Sequence, residues 1–115
     1  MYMKLEQVIE IVNAKVICGS VKANNIERGF CSDLMSDVLT IDTDKLLIIT
    51  GLANVQAIRT AEMADVNCIL LVRNKKATAD MIKVAEENNM IIMETSFSMF
   101  HVAGKLYEAG LKPVY

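Results

Sequence analysis

The residues with the clearest potential for ligand chemistry follow two predicted buried strands. Thr50 and Gly51 end an uninterrupted apolar run, and Asn54 is a good N-cap for the helical pattern that follows. Such a turn presents free N–H groups at the positive end of a helix dipole, which favours a phosphate or a carboxylate. Arg73 and Lys76 follow the next apolar run and could complement an anion on the same edge. These residues form the predicted ligand-binding site.

Each part of that site also has a simpler structural interpretation. Asn54 could satisfy the free N–H groups of the turn itself, which leaves an ordinary strand-to-helix connection. The basic turn at residues 73–76 could be a solvated loop, and this is the favoured interpretation of its charge. The position at the end of a central strand favours a ligand, because open α/β sheets bind ligands there.

An acidic pair lies further toward the N-terminus. Ser32 is a predicted helix N-cap, Asp33 suits the helix dipole, and Asp37 lies one turn later. Two such carboxylates could share a divalent cation, but hard cations need several oxygen ligands and the sequence places no third acid nearby. A solvated helix start is favoured, and no metal site is predicted. The alternative is a dimer or partner contact made by Ser32, Asp33 and Asp37.

The remaining reactive side chains do not form a catalytic set. His101 lies on the polar side of the last predicted helix, without a cysteine or acid at ligand spacing. Cys18, Cys31 and Cys68 are widely spaced and form no CxxC pair, which argues against a disulfide framework. Cys31 is assigned to a polar loop and is the one cysteine to test for reactivity. No catalytic residue, cofactor or enzymatic activity is predicted.

Composition limits the class of protein. The 115 residues predict one domain spanning positions 1–115, and 53% hydrophobic residues predict a well-packed core. A net charge of −2 argues against nucleic-acid binding. No apolar run approaches the ~20 residues of a membrane span. The start of the chain has no secretory hydrophobic region, so the predicted location is cytoplasmic.

The elements that position these residues alternate along the chain. Helices are predicted at residues 4–13, from Ser32, at 54–64, at 78–87, and from Ser96 or Ser98 to Gly110. Strands are predicted at residues 15–18, 46–51, 68–72 and 90–93, with a short edge strand near Val21 and Ile26. Three successive strand–helix units predict right-handed crossovers and a parallel core sheet of class α/β.

The order of residues in these elements resembles the DRTGG domain family. The likeness is carried by Ser-Asp-Leu-Met-Ser-Asp-Val-Leu at 32–39, by residues 47–62 around Asn54, and by residues 68–76 and 98–107. It extends from about residue 3 to residue 111. The chain is most similar to stand-alone, single-domain members that accompany iron-hydrogenase and related redox systems. Two signature segments differ: Asp-Arg is absent after Thr50-Gly51, and residues 72–75 lack Thr-Gly-Gly.

The resemblance implies both a fold and a role. DRTGG domains resemble the N-terminal domain of HPr kinase/phosphorylase, and in regulated pyrophosphatases they sit beside CBS domains in an adenine-nucleotide-responsive module. The expected fold is a single three-layer domain with a mixed, largely parallel sheet. The expected role is regulatory rather than catalytic. The sequence has no GxxxxGK[ST] loop, so the kinase activity is not implied.

Two functions follow from the residues and the resemblance. The first is a non-catalytic homodimer that senses a small anionic ligand, with an adenine nucleotide as the candidate, through Thr50, Gly51, Asn54, Arg73 and Lys76. The alternative is a protein–protein adaptor or accessory subunit of a hydrogenase or redox system, without a small ligand. The homodimer is also favoured by the apolar surplus of a small chain.

Overall fold

The computed structural model describes residues 2–22 and 24–115, which form a six-stranded main sheet, a two-stranded accessory sheet and five helices. The strands are β1 (Met3–Lys4), β2 (Lys15–Cys18), β3 (Asn25–Ile26), β4 (Arg28–Cys31), β5 (Leu46–Thr50), β6 (Cys68–Leu71), β7 (Ile91–Glu94) and β8 (Lys112–Pro113). The helices are α1 (Leu5–Val12), α2 (Met35–Val38), α3 (Val55–Met63), α4 (Ala79–Glu87) and α5 (Met99–Glu108).

Strand β5 lies near the centre of the main sheet, and all of its residues are buried. It pairs in parallel with β6, and β6 pairs in parallel with β7, so that Thr50 lies opposite Leu71 and Leu71 opposite Glu94. Continuous Ile and Leu runs are typical of strands that are covered on both faces. The prediction of three adjacent parallel strands, whose carboxyl ends share one edge of the sheet, is confirmed.

The outer strands make the sheet mixed. The order is β2-β7-β6-β5-β4-β8, with β4 and β8 parallel to the core strands and β2 antiparallel to β7. Helices α1 and α5 pack on one face of this sheet, where Leu47, Leu70 and Met93 point. Helices α2, α3 and α4 pack on the other face. The predicted three-layer α/β fold with a mixed, largely parallel sheet is therefore confirmed.

Three helices begin at side-chain caps, and two of these, at α3 and α5, were predicted from the sequence. The Asn54 carboxamide oxygen accepts a hydrogen bond from the Ala57 N–H at 3.0 Å, and the Thr78 hydroxyl accepts one from Met81 at 3.2 Å. At α5 the cap is Ser98 rather than Ser96, with its hydroxyl 3.1 Å from the His101 nitrogen. Each cap satisfies an N–H that the helix itself leaves free.

The segment at residues 28–31 is a strand, so the prediction of a polar loop at Cys31 is wrong. Strand β4 pairs in parallel with β5 over its whole length. Its residues are only partly buried because it lies toward one side of the sheet, and a short, half-buried strand has no strong apolar pattern. The predicted edge strand near Val21 and Ile26 is reduced to β3, which pairs with β1 outside the main sheet.

The short helix after β4 also begins later than predicted. Helix α2 starts at Met35, and the position before it is Leu34, which has no side-chain cap. The Ser32 hydroxyl accepts a hydrogen bond from the Leu34 N–H at 3.0 Å, so it forms a turn rather than a helix cap. The prediction of Ser32 as N-cap is wrong. This turn places Asp33 before the helix, where its carboxylate accepts hydrogen bonds from Thr50 and Gly51 at the end of β5.

Candidate functional site

The turn after β5 holds a carboxylate that belongs to the chain itself. Asp33 Oδ1 accepts a hydrogen bond from the Gly51 N–H at 2.7 Å and another from the Thr50 hydroxyl at 2.9 Å. The other carboxylate oxygen lies 3.6 Å from Nη2 of Arg73. The donors of the predicted ligand-binding turn are therefore satisfied by Asp33, a carboxylate of the chain itself, and a ligand at this turn stays a prediction.

The same contacts set the charge state of Asp33. The hydrogen bond from the Gly51 backbone, with smaller contributions from the Thr50 hydroxyl and the Arg73 charge, lowers the pKa of this carboxyl below its ordinary value, against a partial opposing effect of burial. The side chains of Asp33 and Arg73 are 49% and 51% exposed, so solvent reaches both members of the ion pair. Of the groups that Asp33 contacts, solvent therefore reaches the Arg73 guanidinium, whereas Thr50 and Gly51 are buried.

Arg73 is held against Gly51 by an unusual backbone turn. A Cβ built on Gly51 would lie 2.7 Å from Nε and 2.9 Å from Cζ of the guanidinium, so only glycine admits this approach. Arg73 and Asn74 have φ angles of 59° and 60°, and the Lys75 N–H closes the turn onto the Val72 carbonyl at 3.2 Å. The Arg73 N–H also donates to the Phe97 carbonyl at 2.8 Å, which fixes the turn to the segment after β7.

A second ion pair lies at the end of β7. The Nζ of Lys76 is 3.6 Å from Oε1 of Glu94, and the other Glu94 oxygen accepts a hydrogen bond from the Ala77 N–H at 2.7 Å. Glu94 has only 8% of its side chain exposed, whereas Lys76 is 67% exposed. Lys76 thus neutralises a buried carboxylate. Glu94 was not predicted as a site residue, although an acid directly after the apolar run 90–93 was a signal for it.

An aromatic pair adjoins the Arg73 turn. The rings of Phe97 and His101 are stacked with centroids 4.1 Å apart and planes inclined by 8°. His101 is exposed at the first turn of α5, and Phe97 is partly buried. The hydrogen bond from the Arg73 N–H to the Phe97 carbonyl connects this aromatic pair to the turn that carries the guanidinium. The helical pattern placed His101 on a polar face, and its stacking on Phe97 was not predicted.

The structure brings some predicted site residues together and separates others. Thr50, Gly51 and Arg73 meet around Asp33, whereas Asn54 caps α3 and its oxygen is engaged by Ala57. Asp37 is exposed on α2, while the Asp33 carboxylate contacts the end of β5. Within residues 2–22 and 24–115, no group of three or more His, Cys, Asp or Glu side chains could hold a metal ion.

A separate apolar cavity of about 350 Å³ lies between β4 and α5. Its walls include Gly29, Cys31, Gly104, Tyr107 and Leu111. Desolvation raises the pKa of the Cys31 thiol, and complete burial raises that of Cys68 to about 12. A raised pKa leaves less of the nucleophilic thiolate at neutral pH, so none of this favours a reactive cysteine.

Comparison with known proteins identifies a related fold. No family model matches the sequence, and no curated protein matches it. The crystal structure of the CBS and DRTGG domains of the regulatory region of Clostridium perfringens pyrophosphatase, complexed with the activator diadenosine tetraphosphate, superimposes with a TM-score of 0.71 at 12% identity. The match covers 96% of this chain and 48% of that one, so this chain spans about half the length of its structural neighbour.

At that identity the likeness concerns the fold. It supports the DRTGG-like architecture that the sequence resemblance implied. Beside Thr50-Gly51, Asp33 and Arg73 meet from two other segments of the chain. In the part of the chain that the structure describes, no helix is long and apolar enough to cross a membrane.

Proposed function

We propose that this chain is a non-catalytic, cytoplasmic regulatory domain that binds a small anionic ligand at the carboxyl edge of the sheet and acts as a homodimer. One observation carries the proposal. The Gly51 N–H, the Thr50 hydroxyl and the Arg73 guanidinium already bind a carboxylate, and both charged partners are about half exposed. A ligand phosphate would take the place of the Asp33 carboxylate on the same donors.

The backbone at Arg73 supports a functional role for its side chain. A left-handed conformation costs a residue with a Cβ about 1–2 kcal/mol, and at Arg73 the backbone hydrogen bonds of the turn to the Phe97 and Val72 carbonyls offset this cost. Strained residues of this kind concentrate at ligand-binding and switch sites. The exposed ion pair with Asp33 contributes only about 0–1 kcal/mol, so the backbone hydrogen bonds hold the conformation and the guanidinium can exchange Asp33 for an external anion.

An adenine nucleotide is the ligand class that fits both parts of the edge. Arg73 would bind a phosphate, and the exposed ring of His101, backed by Phe97, offers a stacking surface for a base. The structural neighbour was crystallised with an activating dinucleotide, diadenosine tetraphosphate, and this supports the same class of ligand here. Displacement of Asp33 would free residues 32–34, which lead into α2, and so provide a route for a regulatory signal.

The test is a thermal-unfolding screen of the purified chain with AMP, ADP, ATP, diadenosine tetraphosphate and inorganic phosphate. A ligand at 100 times its Kd should stabilise the protein by about 2.7 kcal/mol. Arg73→Met should reduce the shift to about half or less, and Lys83→Met, an exposed lysine on α4, should retain it. A wild-type protein that none of these ligands stabilises would contradict the proposal. Steady release of phosphate from any of the nucleotides would contradict the non-catalytic part of the proposal.

The adaptor function has one observation in its favour. Leu34 and Leu39 flank α2 with 60% and 50% of their surface exposed, close in sequence to Ser32, Asp33 and Asp37. Exposed leucines beside charged residues suit a protein partner, and a hydrogenase-system protein is the class that the resemblance implies. In this case no nucleotide would stabilise the chain. Purified iron hydrogenase would bind it in calorimetry, and Leu34→Asp would remove that binding.

A further inference from the structure

One face of α5 is apolar and exposed to solvent. Phe100 and Tyr107 are 89% and 70% exposed, and Gly104 lies between them with no atom within 4 Å of where its Cβ would be. Residues three and four apart share a face of a helix, so Phe100, Ala103, Gly104 and Tyr107 form one stripe. The stripe borders the 350 Å³ cavity whose walls include Gly104, Tyr107 and Gly29.

We infer that a second copy of this chain docks on this stripe, with the two α5 helices antiparallel about a two-fold axis between Ala103 and Gly104. This interface specifies the homodimer that is part of the proposed function, and it rests on that proposal. A two-fold axis there brings residues that are equally distant from it on the two helices opposite each other, so Phe100 of one copy faces Tyr107 of the other. The small residues at the crossing point allow the helices to approach closely.

The stripe and the cavity then complement each other. Phe100 protrudes one helical turn before Gly104, and the cavity opens beside Tyr107, one turn after it. In the antiparallel arrangement the Phe100 ring of each copy lies at the mouth of the other copy's cavity. An aromatic side chain seated in an apolar pocket is the usual energetic centre of an interface. One surface thus supplies both the protruding residue and its receptacle, as a two-fold contact requires.

The charges at the two ends of α5 favour the same orientation. The turn that carries Arg73 and Lys75 is hydrogen-bonded to the Phe97 carbonyl, just before the start of α5. Glu108 ends the helix and is exposed. In an antiparallel pair, Glu108 of the second copy approaches the exposed Lys75 of this turn, and the helix dipoles oppose each other favourably. A parallel pair would place like ends together.

The area that a stable interface needs also implicates the cavity walls. A standard interface buries about 800 Å² on each partner. Helix α5 has 10 residues and a length of about 15 Å, which is too short to supply that area alone. The sheet edge beside it is unsuited to pairing, because β8 has two residues and one of them is Pro113. Burial of the groove between α5 and β4 supplies the rest.

The first experiment measures molar mass by light scattering across a concentration series. We expect the wild-type chain to be a dimer and Phe100→Asp to raise the dimer Kd by at least about 30-fold, as for a central aromatic residue. The matched control is Met63→Asp, because Met63 is 67% exposed but lies on α3. It should leave the Kd unchanged. A wild-type monomer would overturn both this interface and the proposed homodimer. A dimer that Phe100→Asp leaves intact would overturn the interface alone.

A second experiment locates the axis without disturbing Phe100. Gly104→Cys, in a Cys31→Ser background, should form an intermolecular disulfide on mild oxidation, since two thiols near the axis come within bonding range. Lys83→Cys in the same background should not. Failure of Gly104→Cys to cross-link while the chain remains dimeric would overturn the placement of the axis. The nucleotide screen, repeated on Phe100→Asp, tests the ligand site independently of the dimer.

Discussion

The Asp33 carboxylate connects the stability of the edge to pH. Its hydrogen bond from the Gly51 N–H, aided by Thr50 and Arg73, lowers its pKa in the folded chain. A lowered folded-state pKa contributes stability that is fully present above the unfolded value of about 3.9 and is lost as the pH falls through the folded value. We therefore expect Asp33→Asn to be less stable than wild type at neutral pH, and the difference to shrink in acid. Denaturant unfolding across a pH series measures it.

The control for this experiment is Asp37→Asn, which changes an exposed carboxylate on α2. It should follow the wild-type pH profile. A constant difference between wild type and Asp33→Asn at every pH would mean that the ionised form of Asp33 has no preferred partner in the fold. The same variant tests the competition in the proposed function, because removal of the Asp33 charge should tighten the binding of a nucleotide phosphate.

Gly51→Ala should separate binding from stability. The new Cβ would displace the Arg73 guanidinium, whose exposed end can move away at little cost. We expect a stability change within about 0.5 kcal/mol. Loss of a charge-assisted contact of about 1.5–3 kcal/mol should weaken nucleotide binding at least tenfold. Calorimetry on Gly51→Ala and Arg73→Met should give the same weakened affinity. Unchanged affinity in Gly51→Ala would remove Arg73 from the site.

At the residue scale, only the local part of this site could be predicted from the sequence. Thr50, Gly51 and Arg73 were found because each lies at or just after the end of a strand that an apolar run identifies. Asp33 lies 17 residues before Thr50, and its position depends on β4 pairing beside β5. Because β4 has no clear apolar pattern, its placement was missed, and with it the contact of Asp33. Glu94 was missed for a related reason, since its partners follow a different strand.

Among the elements, α5 carries a conflict between helix stability and close approach. Glycine in an exposed helix interior is less favourable than alanine by up to about 1 kcal/mol, and Gly104 has open space where a Cβ would be placed. We expect Gly104→Ala to raise the free energy of unfolding of the monomer by about 0.5–1 kcal/mol while it weakens dimerisation. Unfolding at low concentration and light scattering at high concentration measure the two effects. A variant that is more stable and equally dimeric would place the helix crossing elsewhere.

The elements themselves differ in how well the sequence identified them. Strands β5 and β6 and helices α3 and α4 were predicted within a few residues, because fully buried strands and capped amphipathic helices have strong local patterns. Helix α2 has four residues and no side-chain cap, so its start was misplaced. Strand β8 has two exposed residues and lacks a pattern altogether. Such elements form because the neighbouring strand offers free backbone groups.

For the molecule as a whole, the layered α/β class could be predicted from the alternation of strands and helices, and the resemblance supplied the mixed sheet. The order of strands at the margins could not. Strand β4 comes from the first third of the chain and β8 from its end, yet they pair beside each other. A pairing between such distant segments is set by the packing of α5 and Leu111 against β4 rather than by local sequence.

This arrangement predicts a gradient of stability across the sheet. Backbone amides of β5, β6 and β7 lie between two helical layers, and their residues are buried throughout. They should exchange with solvent only through global unfolding, whereas β8, with two exposed residues, should exchange through local fraying.

Hydrogen exchange followed by NMR would show the protection of Ile48 and Leu70 tracking the free energy of unfolding as denaturant is added. The Lys112 amide, bonded to the Glu27 carbonyl at 3.3 Å, should exchange orders of magnitude faster and respond little to denaturant. Equal protection of Lys112 and Leu70 would contradict this prediction. It would mean that β8 unfolds together with the core strands of the sheet.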